Sequence, residues 1–289
     1  MTALTSTSPL ELTIRVGDTS EILGINMEIT QEGLPGWYGG GVGVRRTDSD
    51  KIGKHGIYSE PGTRGGRLVS VQGAYWADSV NEAAAVVDDL NALLAEGTEG
   101  RLTVIDEPFG TRWADCYLTG TPDVEWDGTE SGTFAFDVIC PDPRKYGDVF
   151  SRNAAPAADA GAMRTQPLFG GPVRGILAYG PGGDTGTLTI RNTGTAEISP
   201  FIRVDGDSPG FTVTEIETQR RIVYNEGVPA GHWLEINTTT GTVMLDGIAP
   251  RNLVVAQWPL VPGRSARTYM FESAGTTPML TMTAAPAWW

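Results

Sequence analysis

The sequence is short of the residues most chemistry needs. Among 289 residues there are two histidines, two cysteines and three lysines. A Ser-His-Asp or Cys-His arrangement would have to use His55 or His232. Neither sits beside a nucleophile motif, and no G-x-S-x-G occurs. Both read as ordinary surface or strand-end histidines, so no catalytic residue is expected. Cys116 and Cys140 are too few for a disulfide framework or a structural zinc site. They read as a reduced, buried pair in strand-like segments that could meet across a sheet. No run approaches the roughly 18 apolar residues of a membrane span, and MTALTSTSPLELTIRV lacks the basic start and apolar core of a secretory signal. Arg45-Arg46, Arg64/Arg67 and Arg220-Arg221 are scattered pairs and form no basic stripe, which argues against a direct grip on nucleic acid. Paired carboxylates for glycoside hydrolysis cannot be picked out from 35 acids. VDGDSPG (204–210) starts like a calcium loop, but Ile216 stands where the twelfth-position Glu belongs, so a turn is expected. GPGGDTGT (180–187) has no phosphate-loop Lys. No cofactor and no metal are expected.

What is present is glycine and proline, 38 and 19 residues, a composition that favours turn-rich β folds. Charge is uneven. Residues 1–150 hold 11 Lys/Arg and 24 Asp/Glu, a net of −13, and residues 151–289 hold 10 and 11, a net of −1. Such an acidic surface repels nucleic acid and anionic lipid.

The periodicities separate two halves. In 10–16, Leu10, Leu12, Ile14 and Val16 alternate as in a half-buried strand; 21–29 reads as a second, weak strand. GLPGWYGGGVGVRR follows, glycine-rich around Trp37 and Tyr38, either mobile or ordered against a partner. These two aromatics with Arg64 and Arg67 are the candidate protein-interface residues. A strand over 67–76 leads into one helix, with Ser79 and Glu82 as a capping box. Ala83, Val87, Leu90 and Leu94 form its apolar stripe and Gly97 its stop. Segments 101–106 and 112–120 flank the turn EPFG as a hairpin, and 132–140 puts Phe134, Phe136, Val138 and Cys140 on one side. Residues 151–167 have no period and read as a linker. Beyond, nine strand-like segments without a helix predict a sandwich or jelly-roll-like domain.

Four stretches carry a family resemblance. They are GGRLVSVQGAYWADSVNEAAAVVDDLNALLAEG (65–97), FAFDVICPDPRKYG (134–147), WLEINTTTGTVMLDG (233–247) and WPLVPGRSARTYMF (258–271). The second closes on Asp142, Pro143 and Tyr146. In the fourth, Arg264 and Ser265 stand where the family usually has Asn. In this order they resemble the distal tail (Dit-like) protein family of long, flexible-tailed bacteriophages, and similar minor tail proteins of phages infecting actinobacteria. The resemblance implies a mainly β fold: an N-terminal split β-barrel with one helix (1–149, a ring-forming belt), a linker (150–185) and a C-terminal galectin-like β-sandwich (186–289). It further implies a non-enzymatic virion protein assembled in the host cytoplasm. Six copies would form a ring at the tail tip, joining the tail tube protein to the tail-tip hub and passing DNA through the channel without membrane contact. The alternative is a carbohydrate-binding protein that uses the sandwich for host attachment.

Overall fold

A computed structural model describes residues 10–15, 19–22, 25–29, 31–40, 42–93, 97–156, 186–275 and 278–289. The chain divides into two compact units, residues 1–147 together with Trp289, and residues 148–288.

The first unit contains β1 (Leu10–Arg15), β2 (Thr19–Ile22), β3 (Ile25–Glu28), β4 (Val44–Arg45), β5 (Ser49–Asp50), β6 (Ile57–Tyr58), β7 (Thr63–Arg64) and β8 (Arg67–Trp76). Helix α1 (Val80–Asn91) follows, then β9 (Glu99–Asp106), β10 (Gly110–Trp126), β11 (Ser131–Cys140) and β12 (Lys145–Tyr146). The main sheet runs β1-β9-β10-β11-β8-β3-β2, with β12 beside β10. Its outer strands, β1 and β2, are separated by only three residues of chain, which reach at most about 14 Å. Seven strands laid flat would hold those edges about 29 Å apart. The sheet therefore curls until its edges approach, and no ladder joins β1 to β2 among the described residues. The barrel is split in this sense, curled and not closed.

Alternation decides which face of the sheet is buried. Phe134, Phe136, Val138 and Cys140 on β11 are all buried, as are Val69, Val71 and Tyr75 on β8. Helix α1 closes this core. Ser79 accepts from the Glu82 amide at 3.3 Å, and Glu82 reaches back to the Asp78 amide at 3.0 Å. The helix buries Ala83, Val86 and Leu90, with Leu93 buried just beyond its end, a shift from the stripe the sequence suggested. Val87 is only partly buried against the core, Leu94 lies outside the described residues, and Val86 takes the i+3 place that 3.6-residue periodicity allows equally. The helix ends at Asn91, where the Ala92 amide meets the Asp88 carbonyl at 3.0 Å, so Gly97 is not its stop. The weak strand expected over 21–29 is a β2–β3 hairpin, with Ile22 opposite Ile25.

The second unit contains β13 (Phe150–Ala154), β14 (Thr187–Asn192), β15 (Phe201–Asp205), β16 (Phe211–Glu215), β17 (Arg221–Tyr224), β18 (Trp233–Asn237), β19 (Thr242–Leu245), β20 (Ala249–Pro250), β21 (Val255–Ala256), β22 (Ser265–Ser273), β23 (Met279–Ala284) and β24 (Ala287–Trp288). Two sheets, β13-β23-β15-β18-β19-β20 and β14-β22-β16-β17-β21, form it. Each puts alternate residues inward, as in Leu188 and Ile190, Ile202 and Val204, Leu234 and Ile236, Leu280 and Met282. This is a sandwich core. The expected linker is corrected at its start. Residues 150–154 pair with β23 along their whole length, because a sheet edge offers hydrogen bonds to a segment that the lack of apolar period had left unassigned. Residues 157–185 lie outside the described residues.

Candidate functional site

The D-P-x-x-Y turn after β11 is held by a cluster of side-chain bonds. Asp142 accepts from the Arg144 amide at 3.0 Å, from Arg144 Nη2 at 2.7 Å and from the Tyr146 hydroxyl at 2.7 Å. Burial pushes the Asp142 carboxyl up, but the bonds from Arg144 and Tyr146 prevail and hold it below the usual carboxylate range. Tyr146 stacks on Trp113 at 5.0 Å, and the Arg101 guanidinium covers Trp113 at 3.8 Å.

This turn and β8 together hold the glycine-rich segment. Gly36 has φ +89°, and a Cβ there would lie 2.0 Å from the Leu68 carbonyl oxygen. Only glycine lets the chain lie so close to β8. Two side chains fix it. Arg67 Nη1 donates to the Gly36 carbonyl at 2.6 Å while its Nε donates to Pro143 at 3.0 Å. Lys145 Nζ donates to the Trp37 carbonyl at 2.8 Å. Burial lowers the Lys145 ammonium to about 8, and the nearby Arg67 and Arg112 add repulsion. Burial also lowers the Arg67 guanidinium. Two buried cations thus end on main-chain carbonyls, which satisfies the carbonyls and desolvates the charges at once.

Three of the four candidate interface residues meet here, and two are interior. Trp37 is 2% exposed and Arg67 3% exposed, so neither offers surface to a partner. Their burial follows from the close approach at Gly36, which turns the loop inward. Tyr38 is half-buried, 5.6 Å from the Phe109 ring. Burial raises its hydroxyl, and the nearby Asp106 carboxylate raises it further. Arg64 is exposed, with its guanidinium 4.7 Å from the ring of Trp289.

Arg64 stands at the root of a feature that the sequence reading missed. Strand β4 pairs with β7, and β5 with β6, so residues 42–66 make one nested hairpin arm. No residue of the arm is buried. A polar network shapes it: Arg46 bonds to Asp48 at 3.2 Å and contacts Ser59, and the Glu60 amide donates to Asp48 at 3.2 Å. Ile52 at the tip is 99% exposed, and Val44, Ile57 and Tyr58 are also largely open. The available signal was charge: five Arg/Lys in 25 residues of an otherwise acidic half.

The remaining expected features fall elsewhere. His55 is exposed at the arm tip. His232 Nδ1 lies 2.6 Å from Asp246 Oδ2, and that bond lowers the Asp246 carboxyl. Beside it, the Arg203 guanidinium covers the Trp233 ring at 4.6 Å while the indole N–H bonds to Glu235 at 2.8 Å. Cys116 and Cys140 are buried and unbridged. Among the described residues no cluster of His, Cys, Asp or Glu could hold a metal ion, and no helix is long and apolar enough to cross a membrane.

A curled, unclosed sheet with one helix, followed by a two-sheet sandwich, defines a mainly β protein with a Dit-like fold. Among solved structures, the chain is similar to the SPP1 Dit (gp 19.1) protein, described as a paradigm of the hub adsorption apparatus in phages infecting Gram-positive bacteria. The TM-score is 0.59 at 11% identity, over 92% of this chain and 97% of that one. Chains of the phage P2 baseplate in its activated conformation, with Ca and with Sr, match at a TM-score of 0.42 and 12% and 14% identity, each over 84% of this chain and 90% of that one. No protein-family model and no curated protein sequence matches.

Proposed function

We propose that the chain is a structural component of a phage tail tip. Six copies form a ring through the first unit and join the tail tube protein above to the tail-tip hub below, with no catalytic step. The carrying observation is the fold likeness to the SPP1 Dit protein, which covers nearly all of both chains. In this reading the galectin-like second unit projects outward, and the ring belongs to the virion after assembly in the host cytoplasm. The acidity of residues 1–150 fits a channel wall, since a negative lining repels phosphate and lets DNA pass without sticking. Antibody labelling of virions checks the placement: gold at the distal tail end is expected, and gold on the head or along the tail shaft overturns it.

A further inference from the structure

We propose that the arm, residues 42–66, docks on the first unit of a second copy of this chain and takes the acidic end of its sheet as its partner. The proposal rests on the reading of the chain as a self-assembling tail-tip component and specifies what holds the copies together.

The arm lacks what an isolated hairpin needs. Its ladders are two residues long, none of its side chains is buried, and a lone two-stranded hairpin is marginal in water. Its tip nevertheless presents Ile52 and Tyr58 next to Lys51 and Lys54, with Lys51 Nζ 5.5 Å from the Tyr58 ring. An apolar residue rimmed by cations is the make-up of a contact surface.

Charge identifies the occupant. The arm carries five Lys/Arg and three Asp/Glu, a net of +2, whereas the rest of residues 1–150 carries −15. Residues 68–100 and 113–143 contain no Lys or Arg at all. They pair along the β8–β11 ladder, and the turns that leave it come together at one end of the sheet, where the Ala77 amide donates to the Glu130 carbonyl at 2.8 Å. Exposed there are Asp78, Glu82, Asp123, Glu125, Asp127 and Glu130.

Topology makes the contact one between copies. The arm leaves the sheet just before Arg67, and the acidic end begins just after Trp76. Strand β8 separates them by its ten residues, about 30 Å. Complementary patches at opposite ends of one element associate head to tail, and head-to-tail contacts generate closed rings or open filaments. An arm of +2 leaves most of the −15 unpaired, so the remaining acids stay in solvent.

The test replaces Ile52 with the photoreactive residue p-benzoylphenylalanine in the full chain. Equal amounts of light and isotopically heavy protein are mixed and irradiated, and the links are mapped by mass spectrometry. The same probe is placed in particles, and mass photometry reads the oligomeric state. Light-to-heavy links from position 52 to the segments 77–82 or 123–130 are expected. Their yield should fall about fivefold on raising salt from 0.05 to 0.5 M, and equally in Lys51→Glu/Lys54→Glu, while Lys51→Arg/Lys54→Arg keeps it. Links within one chain only, links to the second unit or to another protein, or no links in either preparation overturn the proposal. Oligomers without such links defeat the arm and leave the assembly standing. Monomers in both preparations defeat the assembly as well.

Discussion

The two units solve the same folding problem with different materials. The second is almost neutral, lysine-free beyond residue 150 and closed on itself, with two sheets hiding their apolar faces against each other. The first carries nearly all the net charge, ends two buried cations on backbone carbonyls, and leaves an arm with no buried residue. A unit that satisfies its own surface needs no partner to be stable. A unit that keeps an uncovered hairpin and an acidic sheet end retains capacity that another molecule can take up. The proposed assembly would therefore run through the first unit.

The sharpest way to break the comparison is to damage one core and watch the other. Phe271 is fully buried in the sandwich, and Phe271→Ala should cost about 3–5 kcal/mol. Calorimetry should show the loss in the second unit's transition alone; an equal fall of both would mean one cooperative body. Arg67→Ala should cost the first unit about 2–4 kcal/mol, because it leaves the Gly36 and Pro143 carbonyls without their donor. Arg67→Lys should recover only part of this, since one ammonium cannot reproduce the fork. Proteolysis within residues 31–43 reads the released loop; unchanged melting and cleavage would refute the clamp.

Alkaline pH should separate the units next. Burial pushes the Cys116 thiol up to about 12 and that of Cys140 up to about 11. Above about pH 8.5 the unfolded thiols lose protons that the folded ones keep, so the first unit loses stability as pH rises. Each thiol contributes about 1.4 kcal/mol per pH unit. Lys145 acts oppositely. Lowered to about 8, it is neutral in the folded chain while the unfolded lysine stays charged to about 10.4, and it offsets one thiol. Between pH 9 and 10 the first unit's melting point should fall more steeply than the second's, where only the raised hydroxyls of Tyr224 and Tyr269 act. Cys116→Ala/Cys140→Ala should remove most of the fall, the remainder coming from the raised hydroxyls of Tyr38, Tyr75 and Tyr146, and a variant that falls as steeply as the parent would contradict the assignment. The smallest effect belongs to Arg264, held at φ +55° in the second unit. Arg264→Gly should stabilise it by about 0.5–1 kcal/mol, measured by denaturant midpoint; a loss would show that the side chain matters more than its backbone strain.

The elements that the sequence reveals are those with a period. The β11 face, the β9–β10 hairpin about Glu107–Gly110 and the sandwich strands all alternate, and burial follows that alternation. The four resemblance stretches are legible for a related reason, since they combine turns with periodic strands. At Arg264 the departure from Asn is visible as a residue in the left-handed conformation that Asn tolerates and most residues avoid. What stayed hidden depends on tertiary approach. Trp37 and Arg67 looked like surface because they border a glycine-rich loop and a polar strand end. Their burial follows from Gly36 lying against Leu68, a contact between residues 32 positions apart. The arm has two-residue strands too short for any period, and it showed only as misplaced positive charge.

In the proposed assembly the first unit holds copies of the chain together at a tail tip. Reconstruction of the distal tail end by electron microscopy tests it most directly. The account predicts a closed ring of six copies in contact through residues 1–147, with residues 148–288 radiating outward. A single copy on the tail axis, or a ring whose contacts run through the sandwich, would contradict it.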